Sequence, residues 1–239
     1  DNAAPYEAST SLSTCPGGAA IRISAVAVDT VGQSSDVDAL VINCVDAQNW
    51  TYYPKQLETA GADALELNIF NLPSDLNKRS EENEQVYFEI IEAVRKQVEL
   101  PLFIKLSYYS SSMASFLKRI ADTGIDGLVL FNRFYNPDID IETLEVNSGA
   151  ILSSPNDLYQ TLRWVAIMSN RLECSLIAST GIHNPEGAIK QILAGADAVQ
   201  VASTLYKNGT DVIPGMIDFL DNWMEKHGFE KTDDFIGKM

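Results

Sequence analysis

Residues 175–209, SLIASTGIHNPEGAIKQILAGADAVQVASTLYKNG, read as strand, loop, helix, strand and loop. Residues 175–178 are short and mostly apolar, and Thr180-Gly181 follows as a turn signal. Asn184-Pro185-Glu186 then opens a helix, with Asn184 as N-cap and Pro185 in the first turn. Ile189, Ile192 and Leu193 give that helix a buried face, and Gly195 ends it. Residues 197–202 form a second buried strand, closed by Ser203-Thr204. Parallel strands require such a crossover. Both strand ends carry small residues whose backbone N–H groups are expected to be free: Thr180, Gly181, Ala202 and Ser203. Two adjacent loops of that kind let a phosphate approach the backbone, as at the last two strands of a (β/α)8 barrel. The alternative for Gly181 is a tight turn and nothing more.

Working outward, a phrase recurs. It reads Asp-Ala-Leu-Val-Ile-Asn at 38–43, Gly-Ala-Asp-Ala-Leu-Glu-Leu-Asn at 61–68 and Gly-Ile-Asp-Gly-Leu-Val-Leu-Phe-Asn at 124–132. It returns as Gly-Ala-Asp-Ala-Val-Gln-Val-Ala at 195–202. In the last three a helix ends at Gly and a turn through Asp enters a buried strand. Residues 102–106 (LFIKL) and 175–178 add two strands, and helices are expected at 50–60, 82–97, 113–123, 155–169 and 185–194. Strands alternating with helical patterns mean βαβ units and a parallel sheet. Six strands are clear from residue 38 onward, and residues 21–28 (IRISAVAV) offer a seventh. Closing the usual barrel takes eight. The expectation is therefore a (β/α)8-type barrel with its first one or two βα units missing or altered, the alternative being an open doubly wound sheet. Residues 212–239 read as one amphipathic helix and a short tail, covering the outside or bottom of the sheet.

Composition narrows the function classes. The chain of 239 residues favours a single domain. A formal net charge of −16 disfavours nucleic acid and anionic membrane surfaces as partners. A phosphorylated ligand would have to be held by backbone dipoles and one or two lysines. The three cysteines, Cys15, Cys44 and Cys174, lack metal-ligand spacing and suggest free thiols in a reducing compartment. His183 and His227 are the two histidines, which excludes a multi-His metal site, and no metal is expected. Neither a membrane span nor a signal peptide is legible, so a soluble cytoplasmic protein with a small-molecule substrate is expected, as a homodimer.

The strands are apolar along their length and polar at their C-terminal ends. Asn43, Asn68, Lys105, Asn132, Thr180 and Ser203 would all project at one rim, where parallel α/β folds bind ligands. Amides offer both donors and acceptors, which suits the edge of a heterocycle. Lys105 sits within an apolar central strand, so it is not a surface lysine. Its charge would stabilise an electron-rich ring or a ligand oxyanion.

The pieces ALELNIFNLPSD, PLFIKLS, GLVLFN, STGI, LAGADAVQVAS and EKHGFEKTDDFIGKM resemble the class 1 dihydroorotate dehydrogenases, which are FMN-containing (β/α)8 barrels. The likeness runs from about residue 41 to the C-terminus, with residues 1–37 poorly matched. It implies one FMN-binding barrel domain over residues 1–239 and an FMN-dependent dehydrogenase of the CH–CH class, serving pyrimidine biosynthesis or a related substrate. It places the flavin-contacting lysine on Lys105 and flavin or substrate asparagines on Asn43, Asn68 and Asn132. It places the phosphate loops on Thr180-Gly181 and Ala202-Ser203. The family's Asn-X-Ser-Cys-Pro-Asn becomes Asn68-Ile69-Phe70-Asn71-Leu72-Pro73, so Asn71 takes the place of the catalytic base and Pro73 that of a substrate-binding Asn. The glycine-rich loop after the sixth strand becomes residues 147–154. Asn71 has no useful proton affinity. The nearest candidates are Ser74 and Asp75, whose other reading is a turn that caps the next helix. Competing functions are a phosphate-binding barrel isomerase or lyase using Lys105, and a homologue whose catalytic site has decayed.

Overall fold

The computed structural model describes residues 22–23, 39–42, 49–134 and 136–239. A short strand β1 (Arg22–Ile23) pairs antiparallel with β2 (Ala39–Ile42). From β2 onward the sheet is parallel, with helices as crossovers. α1 (Asn49–Thr59) leads to β3 (Ala64–Asn68), α2 (Ser80–Arg95) to β4 (Leu102–Leu106), and α3 (Met113–Ala121) to β5 (Gly127–Leu130). An antiparallel hairpin follows, β6 (Pro137–Asp140) and β7 (Glu145–Ser148). Then come a 3-10 turn at Pro155–Asp157, α4 (Leu158–Met168), β8 (Ser175–Ser179), α5 (Pro185–Ala194) and β9 (Ala198–Gln200). α6 (Ser203–Asn208) and α7 (Val212–His227) close the chain with a 3-10 turn at Thr232–Asp234. The main sheet has the order β1-β2-β3-β4-β5-β8-β9. Its six parallel strands are those expected from residue 38 onward, two fewer than the usual barrel holds. No helix among the described residues is long and apolar enough to cross a membrane.

Alternation along the strands separates the two faces. Leu65, Leu67, Leu102, Ile104, Leu106, Leu128 and Leu130 are fully buried and join the apolar faces of α2, α3 and α4 in one core. The other face carries Glu66, Asn68, Phe103, Lys105, Ile177 and Gln200. That face is concave. β3 and β9 lie four strand intervals apart, about 19 Å if the sheet were flat. Yet Gln200 Nε2 donates to Glu66 Oε2 across the hollow. The sheet therefore curls as a barrel does, which an open doubly wound sheet does not.

The recurring phrase has a structural cause. Gly195 adopts φ +114, and a Cβ there would lie 2.0 Å from Ser169 Oγ, so glycine is required to end α5. The aspartate two residues on ties one strand entry to the next. Asp126 Oδ2 accepts from the Leu102 N–H at 2.7 Å, and Asp197 Oδ2 accepts from the Leu176 N–H at 2.7 Å.

The structure departs from the sequence reading in three places. Residues 147–148, read as the start of a loop, belong to β7 of the hairpin. Its paired Ile139 and Val146 are 62% and 70% exposed, so no buried face announces it. α6 was hidden in what read as a loop. α7 packs against α5 and α6, with none of its residues fully buried. The tail beyond it folds back. Phe235 is fully buried, and the Gly237 and Met239 N–H groups donate to the Ile192 and Leu193 carbonyls, satisfying the open end of α5.

Asp126→Ala should cost about 1–3 kcal/mol, because it strands the buried Leu102 N–H and frees Arg95, whose Nη2 lies 2.7 Å from the carboxylate. Urea midpoints would read the loss, and Asp126→Asn, which keeps an acceptor, should lose less. Burial alone would raise the Asp126 carboxyl. The Leu102 N–H and Arg95 outweigh it and hold the group below its ordinary value. The contribution should be whole above about pH 4 and fade as pH falls through the lowered value.

Candidate functional site

The C-terminal ends of β3, β4 and β5 bring three of the expected residues together. Asn68 and Lys105 are register partners on neighbouring strands. Asn132, two residues past β5, donates its Nδ2 to Asn68 Oδ1 at 2.6 Å. Its own Oδ1 accepts the Arg133 N–H at 3.0 Å, and its backbone N–H reaches the Leu106 carbonyl at 2.6 Å. The two amides are thus locked side by side at the rim. Asn43, expected beside them, lies outside the described residues, as do Cys15 and Cys44.

Lys105 is met from within the hollow. Its Nζ donates to Gln200 Oε1 at 3.0 Å and lies 3.5 Å from Glu66 Oε1. Glu66 is 5% exposed, and Oε1 has no hydrogen-bond donor among the described residues, so that contact is an ion pair without a hydrogen bond. The Lys105 side chain is 18% exposed and keeps donor capacity toward the rim. Glu66 and Gln200 were missed in the sequence. The signal was present for Glu66: a carboxylate inside a strand covered on both faces must meet a cation, and two positions away its neighbour strand carries one.

The two loops expected to hold a phosphate are joined through a third segment. Thr180 Oγ1 donates to the Phe131 carbonyl at 3.0 Å, and Thr180 and Gly181 adopt φ 78 and 82. A Cβ on Gly181 would lie 2.1 Å from the Leu158 nitrogen, so glycine here is demanded by the start of α4. Asn184 does cap α5, accepting the Gly187 N–H at 2.9 Å. Ser203 Oγ accepts the Ser153 N–H at 2.9 Å, Ser153 Oγ sits 2.9 Å from His183 Nε2, and Lys207 Nζ donates to the Ser153 carbonyl at 2.7 Å. Ser153, His183 and Lys207 carried no sequence signal of this role, because the contact joins residues 50 positions apart. Ala202, the residue before α6, is exposed.

The loop after β3 runs differently. Asn71 Nδ2 donates to the Asn83 carbonyl at 3.1 Å, and its own carbonyl accepts from Ser107 Oγ at 3.4 Å. Ser74 is exposed, with its N–H on the Leu72 carbonyl. Asp75 Oδ1 accepts the Asn77 N–H at 2.9 Å and makes a turn, while Glu82, not Asp75, caps α2 through the Arg79 N–H. Asn71 and Pro73 line a cavity of about 430 Å³ against Tyr87, Tyr108 and Tyr109. Lys105 does not line it. Glu84, also in its wall, has its two oxygens taken by Ser110 and Arg119, both at 2.7 Å. Cys174 is half-buried, and burial pushes its thiol up to about 11, which makes it inert.

Removing one partner of the inner pair should expose its cost. Lys105→Met leaves Glu66 buried without a cation and should lose about 3 kcal/mol of stability. Adding Glu66→Gln, which can still bond Gln200, should recover more than half of it. A double-mutant cycle from denaturant titrations reads the coupling, and additive losses would show that the pair does not interact.

Comparison with known proteins covers the same parts of the chain. The family model for dihydroorotate dehydrogenase matches residues 29–224. The chain is 29% identical over 197 residues to the dihydroorotate dehydrogenase B (NAD(+)) catalytic subunit of Thermoplasma volcanium, covering 80% of this chain and 64% of that one. It is 29% identical over 157 residues to the catalytic subunit of the same name from Pelobacter propionicus, covering 63% and 50%. The namesake from Methanocaldococcus jannaschii is 26% identical over 186 residues, covering 76% and 60%. The chain thus spans between half and two thirds of the length of these relatives. The family match takes in the curled sheet, the paired asparagines, the Lys105 cluster and both rim loops, and by it the chain belongs to the dihydroorotate dehydrogenase family.

Proposed function

We propose that the chain is an FMN-dependent dehydrogenase acting on a carbon–carbon single bond of a small ring substrate. One observation carries the reading: a single lysine ammonium, backed by the buried Glu66 and Gln200, stands in register beside the locked Asn68–Asn132 pair. The donor set fits an isoalloxazine. Lys105 has an unspent donor toward the rim, and the buried Glu66 Oε1 keeps the hollow from carrying a bare positive charge. FMN, when bound, supplies the hydride acceptor. Lys105 would hold the negative charge of the reduced ring, and Asn43, Asn68 and Asn132 would orient ring edges by amide hydrogen bonds. Thr180, Gly181, Ala202 and Ser203 would take the phosphate. The pairing of Lys105 with a carboxylate suits an electrostatic role better than that of a neutral amine nucleophile, which disfavours the isomerase or lyase alternative.

The substrate is the weaker half of the family likeness. Oxidising dihydroorotate needs a base beside the hydride donor, and such help is worth ~10²–10⁴-fold. Asn71 cannot supply it, Glu84 is consumed by Ser110 and Arg119, and Ser74 is turned to solvent. Activity on dihydroorotate should therefore be very slow, with a related ring the better substrate.

Purified chain should carry or take up FMN and show its absorption bands. In Lys105→Ala the bound flavin should become harder to reduce. An unmoved potential with flavin still bound would remove Lys105 from the ring. Anaerobic mixing with dihydroorotate should bleach the flavin far below ordinary turnover of ~1–10³ per second. Fast bleaching would show that a base has been overlooked.

A further inference from the structure

The cavity behind the β3 loop stands apart from the Lys105 rim. Asn71 and Pro73 line it from that loop, Glu84 and Tyr87 from α2, Tyr109 from the loop after β4 and Phe116 from α3. Its volume, about 430 Å³, falls where small-molecule pockets lie, about 300–1,000 Å³. The loop has apolar side chains that could fill it and does not use them. Phe70, Leu72 and Leu76 are 52%, 52% and 99% exposed, and none of them lines the cavity.

The walls are aromatic and carry no unpaired negative charge. Tyr87 and Phe116 are buried and meet edge to face, ring centroids 5.2 Å apart. The Tyr87 hydroxyl is engaged by the Ile69 carbonyl and by Ser107 Oγ, so what Tyr87 has left to offer is its ring. Tyr108 and Tyr109 pack at a tilt, centroids 4.7 Å apart, and both keep part of their surface exposed. The Tyr108 hydroxyl, and after it burial, raises the Tyr109 phenol above its ordinary value, so no phenolate forms there at neutral pH. The Glu84 carboxylate is balanced by Ser110 and Arg119, at 2.7 Å each. The other charge in the lining is Lys78. Lys55, Lys96 and Lys118 each pair with an acid one helical turn away, whereas Lys78 has no carboxylate partner among the described residues. Asp75 and Glu82, close to it in sequence, accept from the Asn77 and Arg79 N–H groups instead, and Glu81 makes no ion pair with it.

We propose that this cavity is a second binding site, for a small aromatic carboxylate, with the ring among the tyrosines and Phe116 and the carboxylate on Lys78. Aromatic walls favour a flat ring in offset or edge-to-face contact. An apolar cavity of about 150 Å³ already admits benzene, so this one takes a substituted ring. One monovalent cation in an otherwise balanced lining matches one carboxylate. The site is not the place of the oxidised ring. A ring that gives hydride to a flavin must lie against it beside Lys105, and Lys105 does not line this cavity. The inference therefore stands without the flavin reading.

The test is calorimetric titration of the chain with benzoate and with benzamide, the same ring without the charge. Benzoate should bind about two- to fivefold more tightly than benzamide, the scale of one exposed ion pair. Added salt should shrink that preference. Lys78→Gln should bind the two equally, with benzamide held as in wild type. Ser111→Trp places an indole in the lining and should abolish binding of both, while its urea midpoint stays near that of wild type. FMN added with benzoate should not displace it. Failure of wild type to bind benzoate, equal binding of benzoate and benzamide by wild type, an undiminished preference in Lys78→Gln, or displacement by FMN each overturns the inference. None of these outcomes bears on whether the rim holds a flavin, which the absorption bands of the chain decide separately.

Discussion

A carboxylate on the concave face of a parallel sheet is the constraint from which the rest follows. Glu66 sits there at 5% exposure, in a strand whose other face is fully buried. Left alone, such a charge would cost several kcal/mol. It is met by Lys105 from the next strand and by Gln200 from the far edge. Gln200 can reach only because the sheet curls, so the electrostatics of the hollow and the curvature of the sheet are one fact. The outer face drives the same curl by packing leucines and isoleucines of successive strands under successive helices. Apolar burial outside and a charge-paired polar cluster inside select a barrel-like sheet over a flat one.

The rim is organised by a segment that belongs to no strand of that sheet. Residues 151–158 hold the loop after β8 through the Gly181–Leu158 approach and the start of α6 through Ser153 and Ser203. Arg133 fastens the same segment to the end of β5 through the Ile151 carbonyl. Three loops thus share one brace. Glycine at 181 is then a packing requirement, whatever ligand the loop meets. A side chain there would disturb the brace before it disturbed a phosphate.

Legibility in the sequence followed burial. Elements with one apolar face and a chemical stop were readable: α5 was bounded by Asn184 and Gly195, and both bounds are those observed. The six parallel strands were readable because four of them share a phrase with a mechanical basis, and Asp126 and Asp197 show what that basis is. The hairpin was not readable, since Ile139 and Val146 alternate with acids but face solvent. Lys105, Asn68 and Asn132 could be named because polar residues at the ends of apolar strands have few other uses. Gln200 could not, because its partners lie 95 and 134 positions from it and only the curl brings those positions together, whereas Glu66 had a signal in the lysine of the adjacent strand.

The loop after β3, where the resemblance would place the catalytic base, is held firmly from several sides. Asn71 is fixed at both its amide and its carbonyl, to Asn83 on α2 and to Ser107 beyond β4. The same loop is held by Tyr87, whose hydroxyl meets the Ile69 carbonyl at 3.3 Å and is pushed to higher pKa by burial. Phe70 packs at a tilt on Phe134, ring centroids 4.1 Å apart, joining the loop to the strand end that carries Asn132. Position and orientation are therefore secured by the protein, and the loop's one carboxylate, Asp75, is exposed and turned to the Asn77 N–H. An amide so placed can read the edge of a ring but cannot deprotonate it. On the proposed function, binding and hydride transfer remain with Lys105 and the paired asparagines, and the proton must leave by a route that this loop does not provide. Behind Asn71 and Pro73 lies the 430 Å³ cavity walled by Tyr87, Tyr108 and Tyr109.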